Sequence, residues 1–451
     1  MNWSIQTLKS ENKMNKIKLS VLGVFFIFSS KAFNPSIQYQ NMNRPVKVTI
    51  VHLEGKYSLE VDGEPFYING GGLEFGSIAS LAKYKGNSFR TWRTDNGKNT
   101  ALEVLDEAHK YGLKVTMGIE VARERHGFNY NDEQAVANQL ESIKQEVMAL
   151  KDHPALLIWA IGNELNLRYT NYKVWDAVND ISKMIHQIDP NHPTTTTLAG
   201  ISKREIDQIK NRAPDLDLLS FQVYGELGRL PRQVRSYGWN KPYIVTEWGA
   251  TGHWEVPKTS WGVPIEENST IKAKNYMSRY MKSMHIDTTL CLGSYVFLWG
   301  QKQERTPTWY GVFTEIGEAT ESVDVMQYLW TGEWPENRSP QIESFLLENQ
   351  QATESISLKP NETYKAKVVA NDPNHDVLTY SFEILHESTD LKDGGDQEER
   401  PPSAQWKNTI DQNGEISFTI PDEEGHYRVF VYVHDNKNHV ATANIPFQVK
   451  K

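Results

Sequence analysis

Cysteine is almost absent from this chain of 451 residues, and Cys291 stands alone. One cysteine excludes an intrachain disulfide, and no cysteine-histidine spacing suits structural zinc. Cys291 lies in an apolar run with nothing near it in sequence to activate a thiolate, so inert core is expected. An excess of basic charge is also missing. Lys and Arg number 48 against 57 Asp and Glu, for a net charge of −9, which argues against nucleic acid or anionic lipid as the main partner. The apolar run Leu19 to Phe28 is shorter than the ~18 residues that a membrane span needs. A nucleotide loop is lacking too. Gly70-Gly71-Gly72 permits an unusual backbone, but no Lys-Ser/Thr follows it and no helix start is clear. No cofactor is expected.

What is present begins with Met14-Asn15-Lys16-Ile17-Lys18, the apolar run, then Ser29, Ser30 and Ala32. A basic start, a short apolar stretch and small residues read as a signal peptide over residues 1–32, with a polar extension before Met14. No cysteine follows the run, so a lipoprotein anchor is not expected. The product would be exported, periplasmic or extracellular. The length suits one large domain plus a smaller one. Aromatics make up 11%, with 13 Trp, which points to a cleft for flat ligands or to a large core.

The most informative stretch is Leu156-Leu157-Ile158-Trp159-Ala160-Ile161-Gly162-Asn163-Glu164. A continuous apolar run suits a strand of a parallel sheet buried on both faces. The polar pair that ends it is what a parallel barrel places at a strand's C-terminal end. Pro242-Tyr243-Ile244-Val245-Thr246-Glu247-Trp248-Gly249-Ala250 repeats the pattern. The chain between Glu164 and Glu247 leaves room for three strand-helix units of roughly 25–30 residues. Two carboxyl groups, one giving a proton and one attacking the anomeric carbon, are what glycoside hydrolysis with retention requires.

These two motifs resemble those of the clan A retaining glycoside hydrolases. That resemblance implies a (β/α)8 TIM barrel with Glu164 as acid/base on strand four and Glu247 as nucleophile on strand seven. It further implies a strand-two Arg beside the nucleophile, here Arg90 with Arg93 as fallback, and a hydrogen-bonding Tyr after strand six, here Tyr224. It places a Trp under the sugar at the end of strand eight, here Trp299. Asn163 would hydrogen-bond the sugar 2-hydroxyl. Candidates for stacking on sugar are Trp92, Trp248, Trp254, Trp261, Trp299 and Trp309.

Taken in order, residues 46–68 alternate around Asp62-Gly63, which predicts antiparallel strands capping the barrel floor. Strands are then expected at Phe66 to Asn69, Asn87 to Trp92, Leu113 to Val121, Leu156 to Glu164, Thr194 to Leu198, Asp217 to Tyr224, Pro242 to Glu247 and Leu292 to Trp299. Helical spacing predicts helices over Thr100 to Tyr111, Asp132 to Leu150, Lys173 to Ile188, Asn268 to Met284 and Glu321 to Leu329. The barrel would span residues 45–335. From about Glu343 short alternating runs predict an immunoglobulin-like β-sandwich over 343–451. Asp390 to Pro402 reads as a solvated loop. The turns Asn371-Asp372-Pro373 and Asp435-Asn436 offer oxygens to calcium, but Asp and Asn favour turns regardless, and no metal site is expected.

The domain order and the spacing of the glutamates are most similar to glycoside hydrolase family 158. That resemblance implies an endo-acting hydrolase of β-1,3-glucan (laminarin) and a polysaccharide or oligosaccharide partner. Family 2 barrels share the motifs but normally carry two domains ahead of the barrel, which weighs here against an exo-acting β-galactosidase or β-glucuronidase. A β-mannanase, a transglycosylase and a non-catalytic glycan-binding barrel stay open.

Overall fold

The computed structural model describes residues 44–392, 394–409, 414–420 and 422–451. The expected signal peptide and the extension before Met14 lie outside the described residues. No helix among the described residues is long and apolar enough to cross a membrane.

An antiparallel sheet comes first, made of β1 (Val48–Leu53), β2 (Lys56–Val61) and β3 (Glu64–Pro65). Its turns are Glu54-Gly55 (φ 52 and 78°) and Asp62-Gly63 (φ 52 and 85°), the paired left-handed backbone of tight hairpins. Val48 and Leu59 pack against Ile68, Leu157, Ile158, Ile244 and Leu292. The sheet therefore covers the barrel floor, as the alternation predicts.

Eight parallel strands then close a barrel: β4 (Ile68–Gly72), β5 (Ser88–Arg90), β6 (Lys114–Ile119), β7 (Leu156–Asn163), β8 (Thr194–Ala199), β9 (Leu219–Gln222), β10 (Tyr243–Glu247) and β11 (Cys291–Val296). All eight residues of β7 are buried, which is why it reads as an unbroken apolar run. Helices α1 (Ile78–Lys83), α2 (Ala101–Lys110), α3 (Glu133–Leu150), α4 (Lys173–Ile188), α5 (Lys203–Arg212), α6 (Leu230–Ser236), α7 (Ser269–Lys282) and α8 (Glu321–Thr331) accompany them. Thr100 and Glu103 form a capping box on α2, and the Asp132 side chain accepts from the backbone of Gln134 and Ala135 at the start of α3. Three helices escape the sequence reading. α1 and α6 are too short to show a period, and α5 is largely charged, with only Ile206 and Ile209 as buried apolar residues.

The triple glycine is a correction. Gly70, Gly71 and Gly72 lie in β4 and none has a positive φ. Space is what demands glycine there. A Cβ would come within 2.4 Å of Tyr295, 2.7 Å of Trp299 and 2.9 Å of Trp92 respectively. Cys291 is buried, and burial pushes its thiol up to about 12, so it is inert as expected.

The C-terminal part is a two-sheet sandwich. One sheet holds β12 (Gln341–Leu347), β14 (Thr363–Asn371) and β17 (Glu415–Thr419). The other holds β13 (Ser357–Leu358), β15 (Thr379–His386), β16 (Ser403–Thr409), β18 (Gly425–His434) and β19 (Val440–Val449). Ile342, Val368 and Phe418 from the first sheet share a core with Phe382, Val431 and Phe447 from the second. Its contact with the barrel includes buried polar bonds. Buried Arg428 reaches the Pro264 carbonyl at 3.0 Å, and the Asn444 amide reaches Glu266 at 2.7 Å.

Candidate active site

β5 ends on Arg90, β7 on Asn163, β9 on Gln222 and β10 on Glu247. The C-terminal ends of these parallel strands therefore share one mouth of the barrel. Glu164 and Glu247 line the same cavity there, of about 550 Å³, together with Asn163, Gln222, Tyr224 and Trp254. Such a volume is in the range of small-molecule sites.

Glu247 is buried and clamped. Its Oε1 accepts from Trp92 Nε1 at 2.7 Å, Gln222 Nε2 at 2.8 Å and Arg90 at 3.2 Å. Its Oε2 accepts from the Tyr224 hydroxyl at 2.9 Å. Four donors and no acceptor suit the ionised, acceptor-only form of a carboxylate. The side chain is thereby locked in rotation, with Arg90 itself held against the Trp92 ring at 4.6 Å.

Asn163 is oriented by the same groups. Its Oδ1 accepts from Arg90 at 2.9 Å, Gln222 at 2.8 Å and Thr197 at 3.1 Å. Three donors on one oxygen decide which way the amide lies, so its NH2 is left for the cavity.

Glu164 is in the opposite environment. It follows β7 with a left-handed φ of 51°, a conformation that costs a non-glycine residue about 1–2 kcal/mol. Backbone bonds hold it there: its N–H reaches Thr197 at 3.1 Å and its carbonyl accepts from Arg125 at 3.1 Å. Burial pushes its carboxyl up to about 7, and the charge of Glu247 adds to the push against Arg125 and Arg90. Two carboxyl groups thus face one cavity, one pushed toward its neutral form by burial and the other surrounded by hydrogen-bond donors.

Arg90, Asn163, Tyr224, Glu164 and Glu247 are brought together. Arg93, the fallback, instead sits near Glu74 and Asp95. The tryptophans divide. Trp254 is 57% exposed at the cavity and meets Tyr224 edge-on. Trp92 turns its N–H to Glu247 and has the Arg90 guanidinium 4.6 Å from its ring. Trp248 packs on Tyr276 and Tyr280, Trp299 on Trp330 and Phe313, and Trp309 bonds the Thr251 carbonyl at 2.9 Å. All three are fully buried and unable to stack on sugar. Trp261 stacks on His426 of the sandwich. Indole volume serves a core as well as a cleft, and the sequence alone does not separate the two. Trp248→Ala should therefore lower stability by about 3–5 kcal/mol in urea unfolding. Trp254→Ala should leave stability within about 0.5 kcal/mol and raise KM.

Gln222, Lys302 and Glu304 were missed. Gln222 ends a short strand, Leu-Ser-Phe-Gln, and bridges Asn163 and Glu247. Lys302 and Glu304 line the cavity from the loop after β11 and pair at 3.1 Å. The charged run Lys302 to Arg305 just past an apolar strand was the available signal. Burial raises the Glu304 carboxyl. Gly394 and Gly395 of the sandwich also line the cavity. They belong to the Asp390–Pro402 stretch read as a solvated loop, yet Glu398 is buried and accepts from the Arg305 backbone and guanidinium at 2.6 and 3.0 Å.

Residues 97–288 match the sequence profile "Glycosyl hydrolases family 2, TIM barrel domain". No curated protein matches the chain in sequence. Among solved structures, β-glucuronidase 2 from Bacteroides uniformis is similar at a TM-score of 0.50 and 13% identity, over 89% of this chain and 48% of that one. The FMN-binding β-glucuronidase from Facaelibacterium prausnitzii L2-6 has a TM-score of 0.51 and 13% identity, over 90% and 59%. The Bifidobacterium dentium β-glucuronidase has 0.50 and 16%, over 64% and 49%. The chain thus spans about half the length of these structures, and at such identities they speak to fold alone. The sequence-profile match lies with family 2, whereas the resemblance to family 158 rests on motifs shared across the clan. Residues 97–288, which hold β6 to β10, are thus similar in sequence to the glycosyl hydrolase family 2 TIM-barrel domain, and β4 to β11 together close a parallel barrel of that type.

Proposed function

We propose that the protein is a retaining β-glycosidase acting by double displacement. The observation that carries this is the pair of glutamates in one cavity, with opposed surroundings. Glu247 attacks the anomeric carbon while Glu164 gives its proton to the departing oxygen, leaving a glycosyl ester on Glu247. Glu164, now a carboxylate, takes a proton from water, the water attacks the anomeric carbon, and the ester breaks. Arg90, Trp92, Gln222 and Tyr224 aim the nucleophile. The Asn163 amide meets the 2-hydroxyl, a bond that tightens as charge develops on the ring.

The substrate reading is a terminal β-linked sugar, released one at a time. Support comes from the wall that Gly394 and Gly395 place on the cavity, anchored by Lys302 to the Gly395 carbonyl and by Arg305 to Glu398. A walled pocket suits a chain end better than a polymer lying through it. The second reading is endo-cleavage of β-1,3-glucan, favoured by exposed Trp254 as a platform for a further sugar. Export of the protein, proposed from its first 32 residues, would fit either.

A panel of 4-nitrophenyl β-glucuronide, β-galactoside, β-glucoside and β-mannoside beside laminarin and mannan separates the readings. The expected result is monosaccharide release from at least one aryl glycoside, with no oligosaccharide ladder from either polymer. A ladder from laminarin would replace the exo reading by the endo one.

A further inference from the structure

Two turns at one end of the sandwich bring three aspartates together. Asp372 and Asp376 lie between β14 and β15, and Asp435 between β18 and β19. One carboxylate oxygen from each lies within 4.8 Å of the others. Clusters of this kind are common at turns, and by itself this one would mean little. The second observation is what their oxygens lack. Asp372 is 7% exposed, and its Oδ1 accepts from the backbone of Asn374 at 2.8 Å and Asp376 at 3.0 Å. Its Oδ2 is buried and meets no donor, and neither does the buried Oδ2 of Asp376. An acceptor taken out of water without a hydrogen is costly, more so when charged. Two such oxygens, on carboxylates of one cluster, suit a cation.

The geometry points to a calcium site formed by Asp372, Asp376 and Asp435. Oxygens that share one calcium ion at roughly 2.3–2.6 Å sit at most about 5 Å apart, and calcium accepts mixed carboxylates and water. Asp435 is held in place by the Asn337 amide, which donates to its Oδ2 at 2.6 Å, and by the backbone of Lys437 and His439, which donate to its Oδ1 at 2.7 and 3.0 Å. Lys437 is the present counter-charge, with Nζ 2.6 Å from Asp376 Oδ1 and a side chain 56% exposed. It is free to swing into water when a divalent ion arrives, and it competes with that ion.

The placement gives the ion a job. The Asp372 turn holds the segment between α8 and β12, since Asn374 accepts from the Arg338 backbone at 2.9 Å and gives to the Glu336 carbonyl at 3.0 Å. The Asp435 turn carries His439, which meets Tyr84 of the barrel at 3.2 Å. Calcium would tie both turns to the junction of barrel and sandwich and stiffen it. This inference does not depend on the glycosidase reading.

The test uses the whole chain, stripped with a chelator and returned to metal-free buffer. Titration with calcium chloride, followed by calorimetry, should show one ion per chain. Calcium at about a hundred times its Kd should raise Tm by roughly 3–6 °C, and magnesium chloride at the same concentration should not. Asp376→Asn, at a half-buried turn position, should fold with an unchanged far-ultraviolet spectrum, bind at least about tenfold more weakly and lose the Tm shift. Lys437→Ser should bind more tightly than the wild type. No binding heat and no shift in the wild type would overturn the site. So would wild-type affinity in Asp376→Asn, weaker binding in Lys437→Ser, or an equal shift with magnesium.

Discussion

Glu247→Ala should abolish turnover, lowering kcat by about 10⁴- to 10⁶-fold on any substrate that the wild type accepts. The loss has two parts. The covalent step disappears, and Arg90, Trp92, Gln222 and Tyr224 are left aiming donors at a void. The fold should survive, because Glu247 stands at a strand end by the cavity rather than in the apolar core. Sodium azide provides the sharper readout. A small anion fits the space left by the carboxylate and attacks from the same face, so the variant should turn an aryl β-glycoside into the α-glycosyl azide. Recovery of a β-azide, or activity unaffected by the substitution, would remove Glu247 from the nucleophile role.

The second large effect belongs to Glu164 and depends on the leaving group. Glu164→Gln cannot donate a proton, so an alkyl or sugar leaving group should slow by about 10²- to 10⁴-fold. A dinitrophenolate, which departs unprotonated, should slow far less in its first step. The pH profile carries the independent check. Burial and the Glu247 charge put the Glu164 carboxyl near 7. A group that must be protonated to act is fully present below that pH and is lost above it. Wild-type kcat/KM should therefore fall tenfold per pH unit on the alkaline side of about 7, and Glu164→Gln should lack that limb. An alkaline limb that persists in the variant would assign it to another group, with Glu304 the nearest candidate, since burial raises it too.

How much of this was legible in the sequence follows from what each residue does locally. The barrel shows itself because strands buried on both faces are apolar throughout, and Leu156 to Ile161 is such a run, of strand length and ended by polar residues. Glu164 and Glu247 show because a charged residue ending such a run is rare without a purpose. Arg90, Asn163 and Tyr224 came through the family resemblance, and the structure places them on Glu247 or on one another. Gln222 did not show. A glutamine after Leu-Ser-Phe has no local signature, and its use lies in bridging two residues from other strands. The tryptophan assignments failed for a similar reason: burial of Trp248, Trp299 and Trp309 is set by neighbours distant in sequence, such as Tyr276, Trp330 and Thr251. The role of Asp390 to Pro402 was invisible because polar, glycine-rich chain looks like a solvated loop wherever it goes. Only the docking of the sandwich reveals Gly394 and Gly395 at the cavity.

The central claim is a covalent sugar on Glu247, and the configuration of the first sugar released reports on it most directly. Proton NMR of a β-glycoside from the panel, followed from the earliest turnover, should show the β-anomer first, with the α-anomer growing only as mutarotation proceeds. The α-anomer appearing first would mean single displacement by water, and the assignment of Glu247 as nucleophile would be wrong.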